Sequence, residues 1–238
     1  MEEGGSPDDG QVRFVDPTTG RNLGAPITTP YGIPVSLAWS TDGRLLAVAT
    51  WDNILHIYDA HTRRQVVKDI ESVDAKIVDL TFDRDATRVI GTVDNGVTRQ
   101  WDARTGEEIQ PALEAQRGII GGVAYSPDYE MLATTAIGLS STRLWEMPSG
   151  RTIGADLVGG RVPYTSRNGL PDVVVRSRPA FAPDGKHLAT PGADGASTLW
   201  DLDPAHWVRA ACAVAGRDLT AAEWREQLPA QTPFALCE

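Results

Sequence analysis

No segment of the chain strings together the roughly 18 apolar residues that a membrane-spanning helix needs, and its Lys and Arg residues form no run. The first absence argues against a transmembrane helix. The second, with a formal net charge of -10, argues against DNA, RNA and anionic membrane surfaces as partners, because phosphate neutralisation calls for a basic footprint. The acidic, Gly-rich N-terminus (residues 1–8, read as flexible) has neither a basic n-region nor an apolar h-region, so the expected location is the cytoplasm. Catalytic signatures are also missing: no GxSxG, no HExxH, no Gly-rich phosphate loop, no GxGxxG. His56, His61, His187 and His206 show no metal-ligand spacing. No catalytic residue, metal or cofactor is therefore assigned. Cys212 and Cys237 belong to no CxxC motif. A reducing cytosol makes two free thiols the first expectation, with a disulfide closing the C-terminal segment as the second.

What the chain does have is a repeat. Four segments align: Trp39 followed by STDGRLLA, Phe82 by DRDATRVI, Tyr125 by SPDYEMLA, and Phe181 by APDGKHLA. Each has an aromatic, a polar turn with an Asp, and a new apolar run, which predicts strand, turn, strand. The aromatics are 43, 43 and 56 residues apart. A second landmark keeps the same register: Tyr58-Asp59, Trp101-Asp102, Trp145-Glu146 and Trp200-Asp201. One insertion, from about Gly159 to Pro171, stretches the last unit. Three units carry an acidic turn before their third strand, at Asp52-Asn53, Asp94-Asn95-Gly96 and Asp194-Gly195. Such dipeptides suit tight hairpins, whose central residues adopt positive φ. The recurrence of these carboxylates at one place per unit points to turn chemistry rather than catalysis.

Four strands per unit, a period near 43 and a terminal aromatic-Asp pair resemble the WD repeat, over about residues 8 to 202. The resemblance implies an all-β chain of β-propeller blades. It also assigns structural roles to Asp52, Asp59, Asp94, Trp101, Asp102, Trp145, Asp194, Trp200 and Asp201. No Gly-His dipeptide opens any unit, and the third unit has Gly138-Leu139 where the acidic turn belongs. In the family that His joins a hydrogen-bonded set with the hairpin Asp, a Ser or Thr and the Trp. Its absence predicts blades held by apolar packing more than by polar contacts.

Residues 9–27 match the second half of a unit, with Asp9 lying 43 residues before Asp52, so Met1 falls in the middle of a repeat. The expected strands are two from this partial unit, four from each of the next three and three from the last. About four blades make an incomplete ring, so the expectation is a piece of a longer propeller with exposed, self-associating end faces. Residues 203–238 read as a two-helix cap. Asp203-Pro204 starts one helix, Gly216 ends it, Trp207, Ala211 and Val214 share a stripe, and Thr220 with Glu223 forms a capping box. This tail resembles the end of actinobacterial signalling proteins in which an NTPase domain precedes WD repeats. The resulting functional expectation is a non-catalytic scaffold or sensor that binds other proteins or peptides, with a channel-centred propeller enzyme as the rival. Tyr31, Trp51, Tyr164 and Arg167 are the interaction candidates, because large side chains at loop positions make interface hot spots.

Overall fold

The computed structural model describes residues 10–29, 32–72, 75–113, 116, 118–137, 141–159, 178–192, 196–218, 220, 222–223 and 237. The chain opens with β1 (Gly10–Val12) and β2 (Ile27–Thr29), which pair antiparallel. The first full unit is a meander of β3 (Pro34–Trp39), β4 (Leu45–Thr50), β5 (Ile54–Asp59) and β6 (Ile70–Glu71). The second comprises β7 (Ile77–Phe82), β8 (Arg88–Val93) and β9 (Thr98–Asp102). In the third, β10 (Ile119–Tyr125), β11 (Met131–Ile137) and β12 (Ser141–Glu146) are followed by β13 (Arg151–Thr152) and β14 (Leu157–Val158), which both pair with β12. The fourth holds β15 (Ala180–Phe181), β16 (His187–Pro191) and β17 (Ser197–Asp201). All pairings are antiparallel, as WD-type blades require.

The strand tally departs from expectation in its distribution. The fourth strand of the second unit is reduced to two isolated bridges, Thr98 to Leu113 and Trp101 to Glu108, whereas the third unit has two short outer strands in its place. Pro111 sits in the weakened stretch, where it lacks an N–H to donate to a ladder. Among the described residues, β2 pairs only with β1 and β17 only with β16, so the two ends of the strand series are not hydrogen-bonded to each other.

Each aromatic-acid pair ends a third strand, because the acid caps the turn that follows. Asp59 Oδ1 accepts from the Thr62 amide at 2.7 Å, and Asp102 Oδ1 accepts from the Arg104 and Thr105 amides, each at 2.8 Å. These are Asx-type turns. The hairpins before the third strands use positive φ at equivalent places, Asn53 at 70° and Gly96 at 91°.

The core lies between units. Ile57 of β5 clusters with Leu80, Phe82 and Trp101 of the second unit, and Leu144 of β12 with Leu188 of the fourth. Trp101 lies on Gly91, where a Cβ would approach its ring to 2.7 Å, so the strand needs glycine there.

Polar contacts hold the third unit more than the missing Gly-His predicted. Trp145 Nε1 donates to Thr134 Oγ1 at 3.0 Å, Thr134 Oγ1 donates to Gln116 Oε1 at 2.9 Å, and Gln116 Nε2 reaches the Ser141 carbonyl and hydroxyl at 3.3 Å. Gln116 supplies the amide donor and acceptor that a histidine ring would, and Ser141 answers it in place of an acid. In the fourth unit Trp200 Nε1 donates to Thr190 Oγ1 at 2.9 Å.

The C-terminal segment begins as expected and then departs from expectation twice. Helix α1 (Pro204–Ala215) is capped by the Asp203 side chain on the Ala205 amide and stops at Gly216 with φ 67°. The capping box beyond it is reciprocal, Thr220 Oγ1 accepting from the Glu223 amide and Glu223 Oε2 from the Thr220 amide. However, α1 buries none of its residues, and Val214 is 91% exposed, so this helix does not cover apolar surface as the stripe predicted. Its Trp207 instead donates its indole N–H to the Asp201 carbonyl. Second, Cys212 and Cys237 are joined in a disulfide rather than free, their Cα atoms 5.3 Å apart. Asp218 Oδ1, in the turn after α1, accepts from the Cys237 amide at 2.8 Å.

Candidate interaction surface

The rim where inner strands begin and second strands end carries the clearest exposed aromatic. Trp51 follows β4 in the turn to β5 and is 62% exposed. Its amide donates to the Ile33 carbonyl at 2.9 Å, which ties it to the residue preceding β3. Ile33 is itself exposed. The Lys76 ammonium of the next unit stands 4.2 Å from the Trp51 ring centroid, a cation–π distance. Lys76 is fixed in turn, because Asp94 Oδ1 accepts from its amide at 3.0 Å. Ile119, which opens β10, occupies the place of Ile33 and Lys76 one repeat further on and is also exposed. The hairpin turn projects the Trp51 indole outward because the blade interior is already filled by β4 residues such as Val48 and Ala49. Tyr31, Tyr164, Arg167 and the turn residue Asp194 lie outside the described residues.

A second cluster sits at the inner strands. Asp79 of β7 is buried and accepts from every neighbouring unit. Ser36 Oγ of β3 donates to its Oδ1 at 2.9 Å, and the Val123 amide of β10 to its Oδ2 at 3.1 Å. Arg178, just before β15, donates Nε to Oδ2 and Nη2 to Oδ1, each at 2.8 Å, and Nη2 also reaches the Leu80 carbonyl. One carboxylate thus ties four blades. An adjacent open pocket of about 250 Å³ is lined by Val35, Ser36, Leu37, Asp79 and Arg178. Sequence reasoning passed over this set, although a clue was there. Ser36, Asp79, Gly122 and Arg178 each stand three residues before the repeat aromatic, and Asp79 interrupts an apolar strand, IVDLTF. The inner strands of the first three units share a β-bulge at this place, which re-aims the side chain.

Electrostatic shifts fall on the turns. Asp59 and Asp102 have their carboxyl pKa held below 3.8, chiefly by the backbone amides of Thr62 and Thr105, and Asp201 chiefly by that of Asp203. The Ser149 hydroxyl and Arg151 likewise hold the Glu146 carboxyl below its ordinary 4.5. Burial pushes the Tyr58 phenol up to about 12. Among the described residues, no three His, Cys, Asp or Glu side chains are grouped to hold a metal ion, and no helix is long and apolar enough to cross a membrane.

Comparison with known proteins agrees with this geometry. Residues 32–85 match the family model of the anaphase-promoting complex subunit 4 WD40 domain. A 161-residue stretch, 67% of the chain, is 32% identical to an uncharacterized WD repeat-containing protein of Synechocystis sp., of which it covers 41%. The chain therefore spans about two fifths of that relative's length. Repeat landmarks in register, antiparallel blades and both likenesses support a WD-repeat protein.

Proposed function

We propose that the chain is a non-catalytic scaffold or sensor module whose partner docks on the Trp51 rim. The supporting observation is Trp51 itself, a large amphipathic side chain exposed at a fixed hairpin and flanked by Ile33 and Lys76. The scaffold reading is favoured over a channel enzyme because the lowered carboxylates, among them Asp42, Asp59, Asp102, Asp128, Asp184 and Asp201, are turn groups whose shifts come first from hydrogen bonds within their own turns. The partner is another protein or peptide. The acidic chain disfavours nucleic acid and anionic membranes, and its place is within a cytoplasmic bacterial signalling protein of the NTPase/WD-repeat kind. The Cys212–Cys237 disulfide fits that location only if it forms transiently, since cytosolic thiols are kept reduced. Residues 9–202 act as the propeller portion and 203–238 as its C-terminal appendage, with self-association through exposed blade faces as an accompanying property.

The test is photo-crosslinking in the native host from position 119, an exposed neighbour on the same rim that leaves Trp51 in place. Trp51→Ala should leave stability within about 0.5 kcal/mol, as for an exposed site. Unlabelled wild-type chain should compete away the crosslinked protein, and Trp51→Ala chain should not. Equal competition by both would sink the reading.

A further inference from the structure

We propose that Asp79 is a receptor for a guanidinium group, and that Arg178 occupies it as an internal stand-in for an arginine side chain of a partner protein. The acceptor is pre-built. Asp79 lies in the middle of β7, is 5% exposed, and is held by two donors that belong to strands, Ser36 Oγ and the Val123 amide. Those two bonds leave one face of the carboxylate for a two-pronged donor, and Nε and Nη2 of Arg178 take it at 2.8 Å each. The Leu80 carbonyl accepts a further guanidinium hydrogen at 2.8 Å. A planar fork fits this arrangement, while a single ammonium cannot reach both carboxylate oxygens and the carbonyl with the same geometry.

The occupant is the exchangeable member. Arg178 precedes β15 rather than lying in it, and its side chain is 51% exposed while that of Asp79 is 7% exposed. Replacing one guanidinium by another keeps every hydrogen bond of the buried carboxylate, so no uncompensated charge is created. The adjoining pocket of about 250 Å³ gives an incoming side chain room, and Val35 and Leu37 supply apolar wall for its methylene stem. The inference borrows from the proposed function only that the ligand comes from a protein; the pocket's chemistry stands apart from the Trp51 rim.

The experiment is chemical rescue of the full chain. Arg178→Ala should lower the melting temperature. Methylguanidinium should restore more than half of the loss, through selective binding to the folded state, while methylammonium or sodium chloride at equal ionic strength should not. Asp79→Asn/Arg178→Ala should show no such selectivity. If Arg178→Ala alone does not fold, the yield of refolding with methylguanidinium against methylammonium is read instead. Equal effects of the two cations, an unchanged melting temperature in Arg178→Ala, or full rescue of the double variant would overturn the proposal. Selective rescue supports the pocket even if Trp51→Ala competes normally, so the two readings fail separately.

Discussion

Two pairs of residues occupy the same places in successive blades and meet opposite fates. Leu80 and Phe82 on β7 are 0% and 2% exposed, whereas Leu37 and Trp39 on β3 are 42% and 52% exposed. The strands are alike in sequence, so the difference comes from what precedes them. The first full unit lays Ile57 and its neighbours on β7, but among the described residues only the short β1–β2 pair flanks β3. Phe14 reaches Trp39 edge-on at 5.9 Å, and β2 contributes Ile27 against Leu46, Val48 and Tyr58 further out. The far end repeats the pattern, since Leu199 of β17 is 68% exposed where its counterparts Ile57 and Leu144 are buried. A blade face becomes core only when a neighbour covers it, as in other repeat folds.

The largest test of this contrast is a set of four truncations followed by denaturant melts. Trp145→Ala and Phe82→Ala should each cost roughly 3–5 kcal/mol, the range for emptying a filled core site. Trp39→Ala and Trp200→Ala should each cost clearly less, because both side chains are only partly buried. Trp200 thus differs from Trp101, with which the repeat pattern groups it and which is 2% exposed. If Trp39→Ala matches Phe82→Ala, β3 is covered in solution and the contrast breaks.

Next in size is the polar set of the third unit. Gln116→Ala should cost roughly 1–3 kcal/mol, because it removes the acceptor of the buried Thr134 hydroxyl hydrogen and a donor to the Ser141 carbonyl. Gln116→His should restore much of that loss. A cost below about 0.5 kcal/mol for Gln116→Ala would show that this unit, too, is held by apolar packing alone.

The second unit lacks such a set among the described residues, and the buried Thr92 hydroxyl has no hydrogen-bond partner there. Its counterpart Thr135 meets Thr142 at 3.4 Å. Thr92→Val should therefore be neutral or stabilising, while Thr134→Val should destabilise. Melting both variants in parallel checks the pair, and a destabilising Thr92→Val would refute it.

The smallest expected effect is on the exposed turns. The folded pKa values of Asp59 and Asp102 lie below the ordinary 3.8, so their stabilising contribution is present above about pH 4 and fades as pH falls through the lowered values. Asp102→Asn should flatten the fall of melting temperature as pH drops below about 4. An unchanged acid limb would show that these turns carry none of the pH dependence.

The local grammar was legible in the residues themselves. The aromatic-acid pairs, the Asp-Asn and Asn-Gly hairpins and the Asp203-Pro204 helix start each depend on bonds reaching only a few residues along the chain. A period of 43 exposes them because one blade is one supersecondary unit. Other features were decided by contacts between distant segments. Gln116 looks like any loop residue until Thr134 and Ser141 close around it, 18 and 25 positions away. Arg178 and Asp79 are 99 residues apart and meet because blades packed around common inner strands bring equivalent positions together. Leu37 and Leu80 have the same pattern and different burial, since burial belongs to the neighbouring blade and not to the strand. Cys212 and Cys237 pair because the fold sets their Cα atoms 5.3 Å apart, within bridging distance, which residue spacing alone does not encode.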